Sequence, residues 1–131
     1  MKPYWDTSAL VEATIDPVLR SRVRSEQPYT RTHSLAEAFS ALTGGNLGIR
    51  LEADDATATL ENLAEDLDFV ELDKTDVLTA LKTARRKGVR GGRVHDYLHA
   101  VAAEKQKATQ LVTLDRNDFV ELTTLTIEQL P

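Results

Sequence analysis

Five acidic residues stand where a divalent cation could be held: Asp6, Glu37, Asp96, Asp115 and Asp118. Asp6 ends the aromatic run Tyr4-Trp5 and precedes Thr7-Ser8-Ala9-Leu10. Tyr and Trp favour strands, and Thr and Ser favour the N-cap of a helix, so the chain opens as strand, carboxylate, helix start. Glu37 lies in the first turn of a later helix that begins Ser34-Leu35-Ala36-Glu37, which also reads as a capping box. Asp96 lies in the first turn of a helix that follows the loop Val89-Arg90-Gly91-Gly92-Arg93. Asp115 follows the strand-like run 110–114, and Asp118 comes shortly after it. In a parallel sheet, strand C-ends and the N-ends of the following helices share one edge, so all these acids can meet in one cleft. Helix N-termini stabilise carboxylates, but several anions in one pocket repel unless a cation joins them. Oxygen donors without thiolates suit Mg²⁺ or Mn²⁺. Such an ion can activate a water and stabilise charge on a phosphodiester, which is the chemistry of a metal-dependent nuclease.

The elements that must position these acids follow from periodicity and capping. A first helix is expected over about 8–14. Asp16-Pro17 pairs a cap with a first-turn proline and starts a second helix, which carries Val18, Leu19 and Val23 and ends near Gln27-Pro28. Residues 29–32 have strand composition. Ala36, Phe39, Ala41 and Leu42 give the third helix its apolar face, and Gly44-Gly45-Asn46-Leu47-Gly48 turns the chain. Leu60, Leu63, Ala64 and Leu67 mark a fourth helix over 53–66, and residues 69–72 a short strand. Asp73 caps a fifth helix with the stripe Val77, Leu78, Leu81 and Ala84, closed by Gly88. The sixth helix runs from Val94 to about Lys107 with Tyr97, Leu98, Val101 and Ala102 facing inward. Strands at 110–114 and at the edge, 124–127, complete the order. Strands separated by helices imply one domain over 1–131, a three-layer α/β/α sandwich around a mainly parallel sheet of four or five strands.

Composition narrows the classes. The 131 residues are 41% hydrophobic and 28% charged, a globular balance. No apolar run approaches the ~20 residues needed to span a bilayer. With the first strand starting almost at Met1, no signal peptide is expected. The absence of cysteine removes disulfides and thiolate metal sites. A cytoplasmic protein is the expectation. A net charge of −5, from 21 acids and 16 bases, argues against a surface that binds nucleic acid throughout. The bases are nonetheless clustered: Lys82, Arg85, Arg86, Lys87, Arg90 and Arg93 crowd the approach to Asp96, and Arg20, Arg22 and Arg24 form a looser group. His95 and His99, four apart, resemble a zinc-protease pair with Asp96 where a glutamate is required. Aspartate is one methylene short, no third ligand is indicated, and both histidines read as helix-surface residues beside the cleft.

Four stretches, in order and covering almost the whole chain, carry a resemblance. They are Trp5-Asp6-Thr7-Ser8-Ala9-Leu10-Val11, Ser34-Leu35-Ala36-Glu37-Ala38-Phe39, the run from Gly88 through His95-Asp96-Tyr97-Leu98-His99-Ala100, and Leu111-Val112-Thr113-Leu114-Asp115-Arg116-Asn117-Asp118-Phe119. The sequence resembles the PIN-domain ribonucleases, and among them the VapC-type toxins of bacterial toxin–antitoxin pairs. The resemblance implies an endoribonuclease that binds one or two Mg²⁺ or Mn²⁺ ions and cleaves single-stranded RNA. It assigns the first three acids to Asp6, Glu37 and Asp96 and the hydroxyl before the last acid to Thr113. Asp115 is taken as the fourth acid and Asp118 as its alternative, because many members carry asparagine at the first position and an acid at the second. Asp6 and Asp96 would anchor the metal, with Glu37 and Asp115 completing the shell and Thr7 or Ser8 orienting a ligand. Arg90 and Arg93, with Arg86 behind them, would hold RNA phosphate in a salt-sensitive way. The implied partners are a small cognate antitoxin and a second copy of the chain. A housekeeping RNA-processing nuclease of the same fold is the nearest alternative. A non-catalytic scaffold would leave a repelling acid set idle. A receiver-like module would need paired acids after the first strand and a lysine after Leu114, and neither is present.

Overall fold

The computed structural model describes residues 2–45, 48 and 50–131. The order is β1 (Tyr4–Trp5), α1 (Thr7–Ile15), α2 (Pro17–Glu26), β2 (Tyr29–Arg31), α3 (His33–Gly44), α4 (Ala53–Ala64), β3 (Asp68–Val70), α5 (Lys74–Thr83), α6 (Arg93–Lys105), β4 (Gln110–Thr113) and β5 (Thr126–Gln129). A short 3₁₀ turn, Arg116–Asp118, follows β4. The strands form one sheet in the order β3-β2-β1-β4-β5, and every neighbouring pair is parallel.

Alternation along the central strands splits the core in two. Tyr4 and Leu111 point into one cluster with Ala80, Tyr97, Leu98, Ala100, Ala102, Ala103 and Phe119, beneath α5 and α6. Trp5 and Val112 point into the other with Leu10, Val23, Leu42, Leu60 and Leu63, beneath α1 to α4. The result is the expected three-layer α/β/α sandwich, with five strands. β1 lies at the centre with its two residues completely buried. From it the chain runs one way to β2 and β3 and the other way to β4 and β5. The gap between β1 and β4 is therefore the point where the winding reverses, the place where open parallel sheets hold ligands.

Local signals explain most boundaries. Asp16 caps α2 by accepting from the Val18 and Leu19 amides, with Pro17 in the first turn. Asp73 and Asp76 form a reciprocal capping box at α5. Gly45 adopts φ +82 after α3, a left-handed cap that favours glycine. Asn46 and Leu47 of the expected turn lie outside the described residues. Three expectations are corrected. α1 is capped by Asp6 itself, not by Thr7 or Ser8. Ser34 and Glu37 do not form a capping box: Ser34 is buried against the Thr30 hydroxyl, and α3 has no side-chain cap. The stripe of α5 is only partly covered, since Leu78 and Leu81 are exposed and Ala80 is the buried residue.

Candidate metal centre

Asp6 sits at the C-end of β1, at the winding reversal. Its amide bonds to the Val112 carbonyl at 3.0 Å, which ties the residue to β4. Oδ1 accepts from the Ser8 hydroxyl at 2.8 Å and the Ala9 amide at 2.9 Å. Oδ2 accepts from the Thr113 hydroxyl at 2.7 Å. Ser8 is fixed in turn, its oxygen accepting from the Leu114 amide at 3.1 Å. Only 5% of Asp6 is exposed. Burial pushes its carboxyl up, against the hydrogen bonds from Thr113, Ala9 and Ser8 and the influence of His99.

Glu37 is held from the side by two elements. Its Oε1 accepts from Thr7 Oγ1 at 2.9 Å and meets His99 Nε2 at 3.0 Å. His99 Nδ1 lies 2.7 Å from the Tyr4 hydroxyl. Burial holds the Tyr4 phenol well above its ordinary range, so its hydroxyl remains a donor. With Nδ1 accepting from Tyr4, Nε2 carries the proton that Glu37 takes. Burial pushes Glu37 up, but the hydrogen bonds from His99 and Thr7 outweigh it and lower the carboxyl to about 2.

Asp96, in the first turn of α6, is half-buried. Its carboxyl is pushed up to about 6, first by burial and then by the negative charges of Asp118 and Asp6. Asp118 is also raised, by burial and by Asp115 and Asp6. Asp6, Glu37, Asp96 and Asp118 line one cavity of about 510 Å³, together with Thr7, Ser8 and His99. Asp115 does not line it: its carboxylate is exposed and caps the 3₁₀ turn by accepting from the Asn117 amide at 3.0 Å. That turn rotates Asp118 inward in its place. Thr113 reaches the cavity through Asp6. Arg93 lies close enough for its charge to pull down Asp96 and Asp118. Arg86 and Arg90 are exposed, and among the described residues neither makes an ion pair. Arg20 and Arg24 pair with Asp66, and Arg22 pairs with Glu26 and Glu128.

The histidines depart from expectation. His99 is 3% exposed, not a surface residue, and both its nitrogens are engaged within the protein. It therefore does not pair with His95 in the zinc-protease manner. His95 instead meets His33 of α3, their rings near-parallel at 17° and 6.2 Å between centroids. His33, Glu37 and His95 each offer a ligand atom, and these atoms all lie within 4.8 Å of one another. This group could hold a divalent metal. Among the described residues it is the one group of three or more such side chains whose ligand atoms all lie that close. Two donor sets therefore share Glu37. The all-oxygen set fits a hard ion such as Mg²⁺ or Mn²⁺, and raised carboxyls there are what a cation would relieve.

A doubly wound parallel sheet with carboxylates converging at its winding reversal defines an α/β sandwich with a candidate cation site. The PIN-domain family matches residues 4–124, and the chain belongs to that family. Among solved structures it is similar to PAE2754 from Pyrobaculum aerophilum, at 17% identity and TM-score 0.70, covering 97% of this chain and 89% of that one. It is likewise similar to a chain of VapBC-1 from nontypeable Haemophilus influenzae, at 18% identity and TM-score 0.67, covering 98% of each. At these identities the likeness is one of fold. No curated protein matches the chain. No described helix is long and apolar enough to cross a membrane.

Proposed function

We propose that the protein is a Mg²⁺- or Mn²⁺-dependent endoribonuclease, and that it acts as the toxin of a VapBC-type pair held in check by a cognate antitoxin. The observation that carries the nuclease reading is the convergence of Asp6, Glu37, Asp96 and Asp118 on one cavity. Burial holds three of them, Asp6, Asp96 and Asp118, above the ordinary carboxylate range, and repulsion from neighbouring carboxylates adds to it at Asp96 and Asp118. Such a pocket costs stability when empty of positive charge, and a bound cation offsets that cost. The similarity to a VapBC-1 structure supports the toxin role over housekeeping RNA processing.

Asp6 and Asp96 would anchor the ion, with Asp118 beside them. When bound, the ion supplies a Lewis acid that lowers the pKa of water and stabilises charge on the scissile phosphate. The protein's own residues do the rest. Thr113, Ser8 and the Ala9 amide hold both oxygens of Asp6 in one orientation, so no reorganisation is needed when substrate arrives. Thr7 and His99 keep Glu37 ionised at the cavity, suited to hold positive charge or to orient the attacking water rather than to take its proton, since a carboxyl at about 2 is a weak base. Arg93 stands at the rim, and Arg86 and Arg90, free of ion pairs among the described residues, would hold RNA phosphates. Association of two copies would set two such clefts side by side.

The test is cleavage of single-stranded RNA with Mg²⁺ and with EDTA, for the wild type and Asp6→Asn. Asparagine still caps α1, so the variant keeps its helix content by circular dichroism. The expected result is cleavage by the wild type, lost with EDTA, and none by the variant. Full activity in Asp6→Asn would end the mechanism.

A further inference from the structure

We propose that His33, Glu37 and His95 form a second cation site that takes Zn²⁺ or a similar borderline transition-metal ion, and that filling it antagonises the acidic centre through the shared Glu37. His33 and Glu37 are four residues apart on α3 and so share one face of that helix. His95, in the first turn of α6, approaches them from the neighbouring element. The three ligand atoms lie within 4.8 Å of one another. Tetrahedral Zn²⁺, with bonds of about 2.0–2.1 Å, needs ligand atoms roughly 3.4 Å apart. The group must draw in by at most about 1.4 Å, which exposed imidazoles can do by rotations about their side-chain bonds. Glu37 is equipped for the task. Its hydrogen bonds from Thr7 and His99 both fall on Oε1, and among the described residues Oε2 has no hydrogen-bond partner. The His99 bond fixes the carboxylate from behind, the arrangement that supports metal ligands elsewhere.

The donor set decides the ion. Two imidazoles and one carboxylate disfavour Mg²⁺, which prefers oxygen and keeps its waters, and favour Zn²⁺, Cu²⁺, Ni²⁺ or Co²⁺. Three protein ligands leave a coordination position open. An ion there would bridge the first turns of α3 and α6. It would also draw on Glu37, one of the four carboxylates that line the acidic cavity. Binding at the histidine site requires nothing of the nuclease reading. The antagonism rests on it.

The experiment is a competition for Zn²⁺ between a chromogenic chelator and the metal-free full chain, for the wild type, His33→Gln and His95→Gln. Both histidines are exposed, so the fold should survive, and circular dichroism checks it. One Zn²⁺ per chain at micromolar or tighter affinity, weakened about tenfold or more in each variant, is expected, since even loss of a supporting partner costs that much. No binding by the wild type, or equal binding by the variants, overturns the site. In a second arm, Zn²⁺ is titrated into Mg²⁺-dependent RNA cleavage. Inhibition of the wild type at concentrations that leave His33→Gln unaffected supports the shared carboxylate; equal inhibition of both overturns it. Were no RNA cleaved under any condition, the nuclease reading would fall, and the chelator competition would still decide the site.

Discussion

Replacing Asp96 by asparagine should stabilise the cation-free protein. Its carboxyl is raised from 3.8 to about 6 by burial, then by Asp118 and Asp6. Between those values the folded chain holds a proton that the unfolded chain has released. Stability therefore falls as pH rises through that window, and the whole penalty is present above about pH 6. A shift of roughly two units corresponds to about 3 kcal/mol. Asp96 is half-buried, so water screens this to about 1–2 kcal/mol. Asparagine keeps the shape and removes the charge. The variant should gain about 1–2 kcal/mol near neutral pH and nothing below about pH 4, a rise of roughly 3–8 °C in Tm at neutrality. The assay is thermal unfolding of EDTA-treated protein across a pH series, repeated with Mg²⁺. Mg²⁺ should raise the Tm of the wild type and barely move that of the variant, because a bound ion removes the repulsion that the substitution has already relieved. A variant less stable than the wild type at neutral pH, or a difference that stays flat from acid to neutral, would refute the idea that anionic repulsion strains this cavity.

His99→Gln should leave the buried Tyr4 hydroxyl poorly paired, at about 1–3 kcal/mol by denaturant unfolding. It should also let the Glu37 carboxyl rise from about 2, moving the acid limb of the pH–activity profile upward. An acid limb that stays in place would show that Glu37 does not need the imidazole. Asp118→Asn should weaken Mg²⁺ binding by calorimetry far more than Asp115→Asn, because only Asp118 lines the cavity. The reverse order would return the fourth position to Asp115. Removing Arg90 and Arg93 together should weaken RNA binding and lower its salt slope by about 1–2. An unchanged slope would place both among ordinary surface residues.

Much of the architecture is local in origin and so was legible. Asp16-Pro17 and Asp73 announce helix starts whatever surrounds them, and the alternation of strands with helices leaves little choice but a covered parallel sheet. What escaped depends on residues far apart in sequence. Ser34-x-x-Glu37 has the spacing of a capping box, but Thr30 takes the serine and Thr7 and His99 take the glutamate. His99 reads as surface beside His95, yet it is drawn inward by a tyrosine hydroxyl 95 positions away that needs a partner. A hint was present, since His99 lies one turn beyond Asp96 and among the apolar positions of α6. The placement of Asp115 outside the cavity and Asp118 in its lining turns on a three-residue 3₁₀ turn, which spacing alone does not convey. His33 and His95 meet only because α3 and α6 start at the same edge of the sheet.

One feature of α6 reaches beyond packing. Ala100, Ala102 and Ala103 have no exposed surface, and the helix lies flush on the strands because these side chains are so small. The same rod bears His95, Asp96 and His99 along one and a half turns. Enlarging any of those alanines would lift the rod as a body and shift three chemically active groups at once, without touching one of them. Damage to the chemistry can thus begin at methyl groups that carry neither charge nor lone pair, and the tolerance of this helix to mutation is set by its quietest residues.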